Sequence, residues 1–377
     1  IISGISAVGT TSFTADATIN NVTVGEGAGS IASNTVVGNA AFDANTTGAQ
    51  NVSIGRNTLT ENTTGNNNTA VGHGALAGNT TASKNTAIGK NALYANTTGT
   101  QNTAVGQEAL AASTTADDNV AVGRYALNAN TTGNQQVAVG SGALQKNTTG
   151  TFNTAVGYEA LDENTTGSRN TAIGLVALRQ NTTGDHNTAV GNVALDANTT
   201  ADNNTAVGSE ALGANTTGQY NTAVGAFALD ANTTASANTA VGNGALGANT
   251  TGASNVAVGS NCLLSNTTAN NNTAVGHSAL SANTTAVDNT AVGKDALLTT
   301  TTGHENTAMG VSALKLTTTG RSNVAMGRET MQDNTTGDYN TALGYEALKA
   351  NTTADENVAV GRNSLNANTT GTANTAV

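Results

Sequence analysis

Four histidines are the first residues of this 377-residue chain to consider for chemistry, because histidine serves as a general base and as a metal ligand. They are His73, His186, His277 and His304, and each stands in a pair of positions whose residue types vary along the chain. No acidic residue recurs beside them, and no G-x-S-x-G turn presents a nucleophilic serine. We therefore predict exposed surface histidines, no catalytic residue, no metal site, no cofactor and no enzyme activity.

The single cysteine and the abundant glycines are further candidates for a site. Cys262 has no partner for an intramolecular disulfide and stands where equivalent segments carry Ala, so we expect a small buried residue. Phosphate-binding glycines precede a helix, whereas the glycines here follow short β-branched segments, and no G-G-x-G-x-D nonapeptide indicates structural calcium. We interpret them as corners that need a small residue or a positive φ.

Asn-Thr-Thr triplets recur along the chain, for example at residues 45–47, 147–149 and 334–336, and each is formally an acceptor for an N-linked glycan. Identical residues stacked in register can instead hydrogen-bond along a column of Asn side chains, which is the interpretation we favour. Three triplets carry another residue in place of Asn: Ser113, Thr300 and Thr317.

The threonines of these triplets raise a different possibility, because regular Thr columns on a flat parallel sheet order water in several ice-binding solenoids. Adjacent side chains on extended backbone point to opposite faces. Only one residue of a pair such as Thr46 and Thr47 can therefore be displayed, and ice binding is a minor alternative.

Aromatic residues at variable positions could stack on sugar rings. They fall in several different columns rather than one, so we expect scattered exposed aromatics more than a carbohydrate-binding face. These residues are Tyr94, Tyr125, Tyr158, Tyr220, Tyr339, Tyr345, Phe152 and Phe227.

A 17-residue repeat organises all of these residues. Glycines recur at that period from Gly38 to Gly361, twenty in all and with no insertion. The unit reads N-T-A-V-G-x-x-A-L-x-x-N-T-T-G/A-x-x, as in residues 153–169. Upstream the pattern degrades, with a partial unit ending at Gly25 and a fainter one at residues 7–9. We therefore assign residues 1–33 to an irregular N-terminal segment and 34–377 to the repeats.

The repeat is too short for a helical hairpin, and its apolar positions do not follow a 3.6-residue period. β-branched residues before each glycine, followed by the turn-forming N-T-T-G, favour two short strands per coil. Coils stacked at the strand spacing of about 4.8 Å would form a rod about 95 Å long. The prediction is an all-β parallel β-roll or β-solenoid of about twenty coils.

The distribution of charge and apolar residues extends this prediction. From Arg56 onward every Asp, Glu, Lys and Arg falls in the variable pairs, so we expect the consensus columns to be buried and the pairs to be exposed. The adjacent apolar residues Ala155-Val156 and Ala160-Leu161 would point to opposite faces of extended backbone. One face would fill the core, and the other would leave an apolar stripe that association with copies of the chain would cover.

Composition excludes several classes of protein. Aromatic residues are 3% and charged residues 10%, with no Pro or Trp, which is unlike an ordinary globular enzyme. The net charge of -11 and only 13 Lys and Arg argue against a nucleic-acid partner. No apolar run is long enough for a membrane span and no signal peptide is visible. Because the first residue is Ile and the last unit is incomplete, we expect the chain to be part of a longer protein.

The motif N-T/V-A-V/I-G, as in residues 170–174 and 255–259, resembles the head repeats of trimeric autotransporter adhesins. The longer form with A-L-x-x-N-T-T-G resembles repeats of bacteriophage tail-fibre proteins, and residues 13–25 look like the segment that leads into them. The resemblance covers residues 13–377 and implies a left-handed parallel β-roll packed as a homotrimer. The autotransporter repeat is shorter than 17 residues, so the extra N-T-T-G corner can change the outline of the coil.

The resemblance implies the structural shaft of a homotrimeric phage tail fibre, located in the virion and positioning a tip that binds the host receptor. Its expected partners are other copies of the chain, other virion fibre or baseplate proteins, and host cell-surface glycans. The alternatives are a bacterial trimeric surface adhesin or extracellular filament and, below these, an ice-binding solenoid.

Overall fold

A computed structural model describes residues 16–377. The chain forms two compact units, which meet in sequence between Thr166 and Gly167. Within residues 16–377 every regular element is a β-strand, and this part of the chain contains no helix that could cross a membrane. Each unit is a β-solenoid of 17-residue coils, about twenty coils in all, which confirms the predicted fold class. Residues 7–9 and Phe13 lie outside the described residues.

The first unit begins with an antiparallel hairpin of Ala17–Ile19 (β1) and Val22–Gly25 (β2). Its turn residues Asn20 and Asn21 both have positive φ, as a two-residue turn of type I′ requires. β2 also pairs antiparallel with the next strand, Thr35–Gly38 (β3), and from β3 onward the strands are parallel. The remaining strands of this unit are Val52–Ile54 (β4), Thr69–Val71 (β5), Thr86–Ile88 (β6), Thr103–Val105 (β7), Val120–Val122 (β8), Val137–Val139 (β9) and Thr154–Val156 (β10).

The second unit is parallel throughout, and each residue pairs with its equivalent 17 residues away, for example Ala206 with Ala223. A single register therefore holds along the whole unit. Its strands are Thr171–Ile173 (β11), Thr188–Val190 (β12), Thr205–Val207 (β13), Thr222–Val224 (β14), Thr239–Val241 (β15), Val256–Val258 (β16), Thr273–Val275 (β17), Thr290–Val292 (β18), Thr307–Met309 (β19), Val324–Met326 (β20), Thr341–Leu343 (β21), Val358–Val360 (β22) and Thr375–Ala376 (β23).

Each coil contains one strand, so the prediction of two strands per coil is wrong. The Ala-Leu segment is a series of turns, yet its backbone still bonds to the next coil. The N–H groups of Leu59, Glu61 and Thr63 donate to the carbonyl oxygens of Ala75, Ala77 and Thr80 at 2.8–3.1 Å. Hydrogen bonds between coils therefore run around the ring and are not confined to the strand.

Leucine forms the second bend of this turn segment. Leu212 has a φ of 52° and is completely buried, and the equivalent Leu residues from Leu59 to Leu348 repeat both features. A left-handed conformation costs a non-glycine residue roughly 1–2 kcal/mol, and burying a Leu side chain contributes about 1.5–3 kcal/mol. Burial therefore offsets the backbone strain, and the core of each coil is a layer of Leu and Ala.

The glycine that follows each strand has the role that the sequence predicts. Gly208 has a φ of 138°, and a Cβ atom added to it would lie 2.5 Å from the carbonyl oxygen of Gly225 in the next coil. Both the conformation and the close approach of the two coils exclude a side chain.

Candidate functional site

The outward side of the strands is the most extensive candidate surface of the chain. In the strand Thr205–Val207 the central Ala206 is buried, whereas Thr205 is half-buried and Val207 is 36% exposed. Alternation along a strand places Thr and Val on the same, outward side. We call the outward residues of β3–β22 the strand face.

Each unit has an apolar column on its strand face. In the second unit the exposed fraction of its members reaches 47%, at Leu343. Because the strands pair in register, equivalent side chains lie one strand spacing apart, about 4.8 Å. Its more exposed members in the second unit are Ile173, Val207, Val224, Val241, Val258, Val275, Met309, Met326 and Leu343.

The strand face has no ionisable side chain, since its residues are Thr, Val, Ile, Met and Leu. It therefore offers shape and apolar area for an interaction and no group for acid, base or nucleophilic chemistry. Exposed apolar stripes of this extent are typical of interaction surfaces.

The expectation for the second apolar pair was wrong. Ala160 and Leu161 are both completely buried, because the positive φ of Leu161 turns its side chain inward instead of to the opposite side of an extended segment. Leucine thus belongs to the core, and the outward apolar column comes from the strand alone.

The Asn-Thr-Thr asparagines form the predicted ladder. Asn147 is completely buried, and its Nδ2 atom donates to Asn130 Oδ1 at 3.0 Å and to the Gly150 carbonyl oxygen at 3.1 Å. An amide enclosed in this way cannot accept a glycan in the folded chain.

A second asparagine column, at the start of each strand, was missed by the sequence reasoning. Asn68 Nδ2 donates to the Ala82 carbonyl oxygen at 2.9 Å, and Asn51 Oδ1 accepts the backbone N–H of Asn68 at 2.9 Å. The repeat itself contained the signal for this column, since the Asn before the strand recurs every 17 residues as regularly as the Asn of the triplet.

The threonines of the triplet have separate roles. Thr216 Oγ1 donates to the carbonyl oxygen of Thr233 at 3.0 Å, so the first hydroxyl supports the stack of coils. Thr217 is exposed. As expected, only one Thr of each pair is displayed.

The four histidines are not clustered into a metal-binding or catalytic group. His73, His186 and His277 are exposed and His304 is half-buried, and within residues 16–377 no group of three or more His, Cys, Asp or Glu side chains could hold a metal ion.

Cys262 is buried, as predicted, and donates from Sγ to the Gly276 carbonyl oxygen at 2.7 Å. Burial raises the pKa of this thiol, which disfavours the reactive thiolate.

Charged side chains lie outside the core, as predicted: within residues 16–377 no Asp, Glu, Lys or Arg is buried. Some nevertheless have a structural role that was missed. Asp117 Oδ1 accepts the backbone N–H of Thr100 at 2.6 Å, and Asp202 Oδ1 accepts that of Asp185 at 2.7 Å. The signal for this role was the frequent Asp, Asn and Ser at the first position of the variable pair that precedes the Asn before each strand.

The densest charge network lies near the end of the second unit. Glu329 accepts hydrogen bonds from Lys349 Nζ at 2.7 Å and from an Arg328 guanidinium nitrogen at 2.8 Å, and these bonds lower the pKa of Glu329 to about 2. The Tyr345 ring lies between Arg328 and Arg362, with guanidinium carbons 6.0 and 5.5 Å from its centroid. The arrangement pairs Lys349 of one coil with Glu329 of the coil before it, which is a structural role.

No protein-family model matches the chain, and no curated protein has a matching sequence.

Proposed function

We propose that this chain is the structural shaft of a homotrimeric fibre of the phage tail-fibre kind, which holds a receptor-binding tip away from the virion. The observation that carries the proposal is the strand face. Its column of Val, Ile, Met and Leu runs along each unit, and its more exposed members are 36–47% exposed. A second copy of the chain presents the same column at the same spacing, which makes the face complementary to itself.

Closed cyclic symmetry is the usual way for copies of one chain to cover such a surface. The resemblance of the repeat to autotransporter heads and phage fibres favours three copies and a left-handed coil. Aliphatic side chains at a common axis would lose their contact with water, and the neighbouring Thr residues would lie at the edge of each contact.

Continuous ladders suit the chain to a mechanical role. The thirteen strands of the second unit are separated by about 4.8 Å each and so span about 58 Å. Bonds from the strand and the turn backbone connect successive coils, and two Asn columns add further bonds, with the triplet column interrupted at Thr300 and Thr317. Bending the stack would stretch several of these bonds at once, so the repeat supplies length with stiffness.

The proposal places the protein in the virion, with other fibre or baseplate proteins as partners. The main alternative, a bacterial trimeric surface adhesin or extracellular filament, would use the same face in the same way. The sequences that flank the chain in its gene separate the two. An attachment domain and a C-terminal chaperone support the phage fibre, whereas a signal peptide and an outer-membrane anchor support the adhesin.

Electron microscopy of the purified chain tests the shaft directly. We expect elongated particles with threefold symmetry in end-on views. Particles one solenoid wide, with no symmetry about the long axis, would contradict the proposal.

Ice binding is a second candidate, because the strand face displays two regular columns of short, rigid side chains in register. The test is thermal hysteresis of the purified chain at micromolar concentration. A gap between melting and freezing points would favour this function, and its absence would remove it.

A further inference from the structure

Each unit has a surface groove at the corner formed by the turn segment. The groove of the first unit has a volume of about 460 Å³ and that of the second about 430 Å³. Both lie over a coil that has glycine at the second position after the strand glycine, Gly74 in one case and Gly244 in the other. The two positions after Leu in these coils are also Gly and Ala, in either order: Ala77 and Gly78, Gly247 and Ala248.

Missing side chains create these grooves. Coils on either side of the glycine coil are two strand spacings apart, about 9.6 Å, which leaves room for one ring between their side chains. A third coil shows the contrast. Gly142 is followed by Gln145 and Lys146, and the side chains of Gln145 and Glu159 lie 3.2–3.4 Å from the position of a Cβ atom on that glycine. Gln145 therefore lies against the glycine there, whereas the equivalent residue of the Gly74 coil is Ala77, which is too short to do so.

An aromatic ring forms one wall of the groove in the first unit. Tyr94 is 51% exposed, and its Cδ2 atom lies 3.4 Å from the position of a Cβ atom on Gly74, where Asn91 Oδ1 lies at 2.6 Å. The Tyr94 ring and the Asn91 amide therefore both lie beside the glycine, and the ring forms one wall of the groove. A flat apolar ring with one hydroxyl is suited to stack on a ligand that is apolar on one side and polar at its edge.

Polar groups complete the same groove. Asn57, Glu61 and His73 line it together with Tyr94. Within the described part of the chain, the side chains of these three residues form no hydrogen bond or ion pair. An amide, a carboxylate and an imidazole together supply both donors and acceptors. All three are available for a ligand that carries several hydroxyl groups.

We propose that the Tyr94 groove is a binding site for a hexose ring of a neutral glycan. The sugar ring stacks on Tyr94, and its hydroxyls bond to Asn57, Glu61 and His73. The inference rests on the proposed fibre function for its biological use, a contact with host-surface sugar along the shaft. The binding itself is measured independently of how many chains associate.

The groove of the second unit is a matched comparison. Its walls are Phe227 and Leu264, and its charged group is Asp230, whose pKa is raised by burial. It has the same construction from glycine and alanine but fewer polar groups. A hexose is therefore expected to prefer the Tyr94 groove.

Saturation-transfer NMR and titration calorimetry on the full chain, with methyl glycosides of glucose, galactose, mannose and N-acetylglucosamine, test the site. At least one glycoside is expected to bind with a dissociation constant of about 1 mM. Tyr94→Ala should weaken that binding at least tenfold. The double variant Ala77→Gln/Gly78→Lys, which copies the covering residues of the Gly142 coil, should abolish it. Phe227→Ala should leave it unchanged.

Circular dichroism melting of each variant separates loss of the groove from loss of the fold. Binding by none of the four glycosides would overturn the proposal. Binding that survives in Tyr94→Ala or in Ala77→Gln/Gly78→Lys would also overturn it, as would binding that Phe227→Ala removes to the same extent. A trimer that binds no sugar would contradict the groove alone, and a sugar-binding monomer would contradict the fibre alone.

Discussion

The Nδ2 atom of Asn79 donates to the Oδ1 atom of Asn62 over 2.7 Å, one coil away, and also to the carbonyl oxygen of Ala82 at 3.1 Å. Both hydrogens of a completely buried amide are thus used inside the solenoid. A buried polar atom without a partner costs about 1–3 kcal/mol. The column therefore stabilises the stack most where it is unbroken.

The column is broken at Ser113. Asn96 Oδ1 and Ser113 Oγ are buried, and neither has a hydrogen-bond partner within residues 16–377. Ser113→Asn should restore the bond from the new amide to Asn96 and stabilise the first unit by about 1 kcal/mol for each bond regained. Chemical denaturation measures the change, with Ser113→Ala as the control, since that variant supplies no donor. A lower stability for Ser113→Asn than for Ser113→Ala would refute the ladder as a source of stability.

Substitution by alanine should change stability differently at two glycines of the same coil, Gly208 and Gly213. Gly208→Ala places a methyl group 2.5 Å from a carbonyl oxygen on a backbone with φ of 138°, so we expect a loss of at least about 2 kcal/mol. In Gly213→Ala the nearest atom is 3.3 Å away, and the change should stay within about 0.5 kcal/mol. Denaturation midpoints of the pair give the comparison. Equal shifts would show that close packing of the coils does not restrict Gly208.

The inward position of leucine gives a third prediction. Leu212→Asp would bury an unpaired carboxylate and should disrupt its own and adjacent coils. Aspartate tolerates positive φ better than leucine does, so a loss would report burial and not backbone strain. Glu210→Ala, at an exposed position of the same coil, should change the melting temperature little. Comparable melting temperatures for the two variants would contradict the assignment of inside and outside.

Stability should depend on pH through Glu329. Its pKa in the folded chain is about 2, below the ordinary value of 4.5, because Lys349 and Arg328 donate hydrogen bonds to the carboxylate. The stabilisation is thus complete above about pH 4.5 and is lost as the pH falls through 2. Glu329→Gln should lower the melting temperature at pH 7, and the difference from the parent chain should disappear near pH 2.

Salt provides the control for this effect, because 1 M sodium chloride screens exposed charges and should reduce the difference at pH 7. Glu356→Gln is the matched variant, since Glu356 forms no ion pair within the described residues. If the effect of Glu329→Gln were the same at pH 2 and pH 7, the ion pairs with Lys349 and Arg328 would not be its cause.

Periodicity in the sequence was sufficient to predict the coil. Residues that return every 17 positions, with charges confined to variable pairs, fix both the stacking and the sides that face water. The inside column of Ala206 and the corner at Gly208 follow from the same pattern.

Local conformation was harder to predict. The prediction of two strands per coil places Leu161 on extended backbone, whereas the structure has it at a positive φ of 55° within a series of turns. The ligand groove was also missed. It arises from side chains absent at Gly74, Ala77 and Gly78 and present at Tyr94 in the next coil, a relation between coils that one unit of sequence does not reveal.

The mass of the protein in solution tests the central claim, that copies of the chain cover the strand face. Light scattering after size exclusion should give three times the chain mass of 37.0 kDa, about 111 kDa. The variant Val224→Lys/Val241→Lys should dissociate while its circular dichroism spectrum stays unchanged, because both side chains are on the outward side. A parent chain that runs as a monodisperse particle of 37.0 kDa would contradict the account.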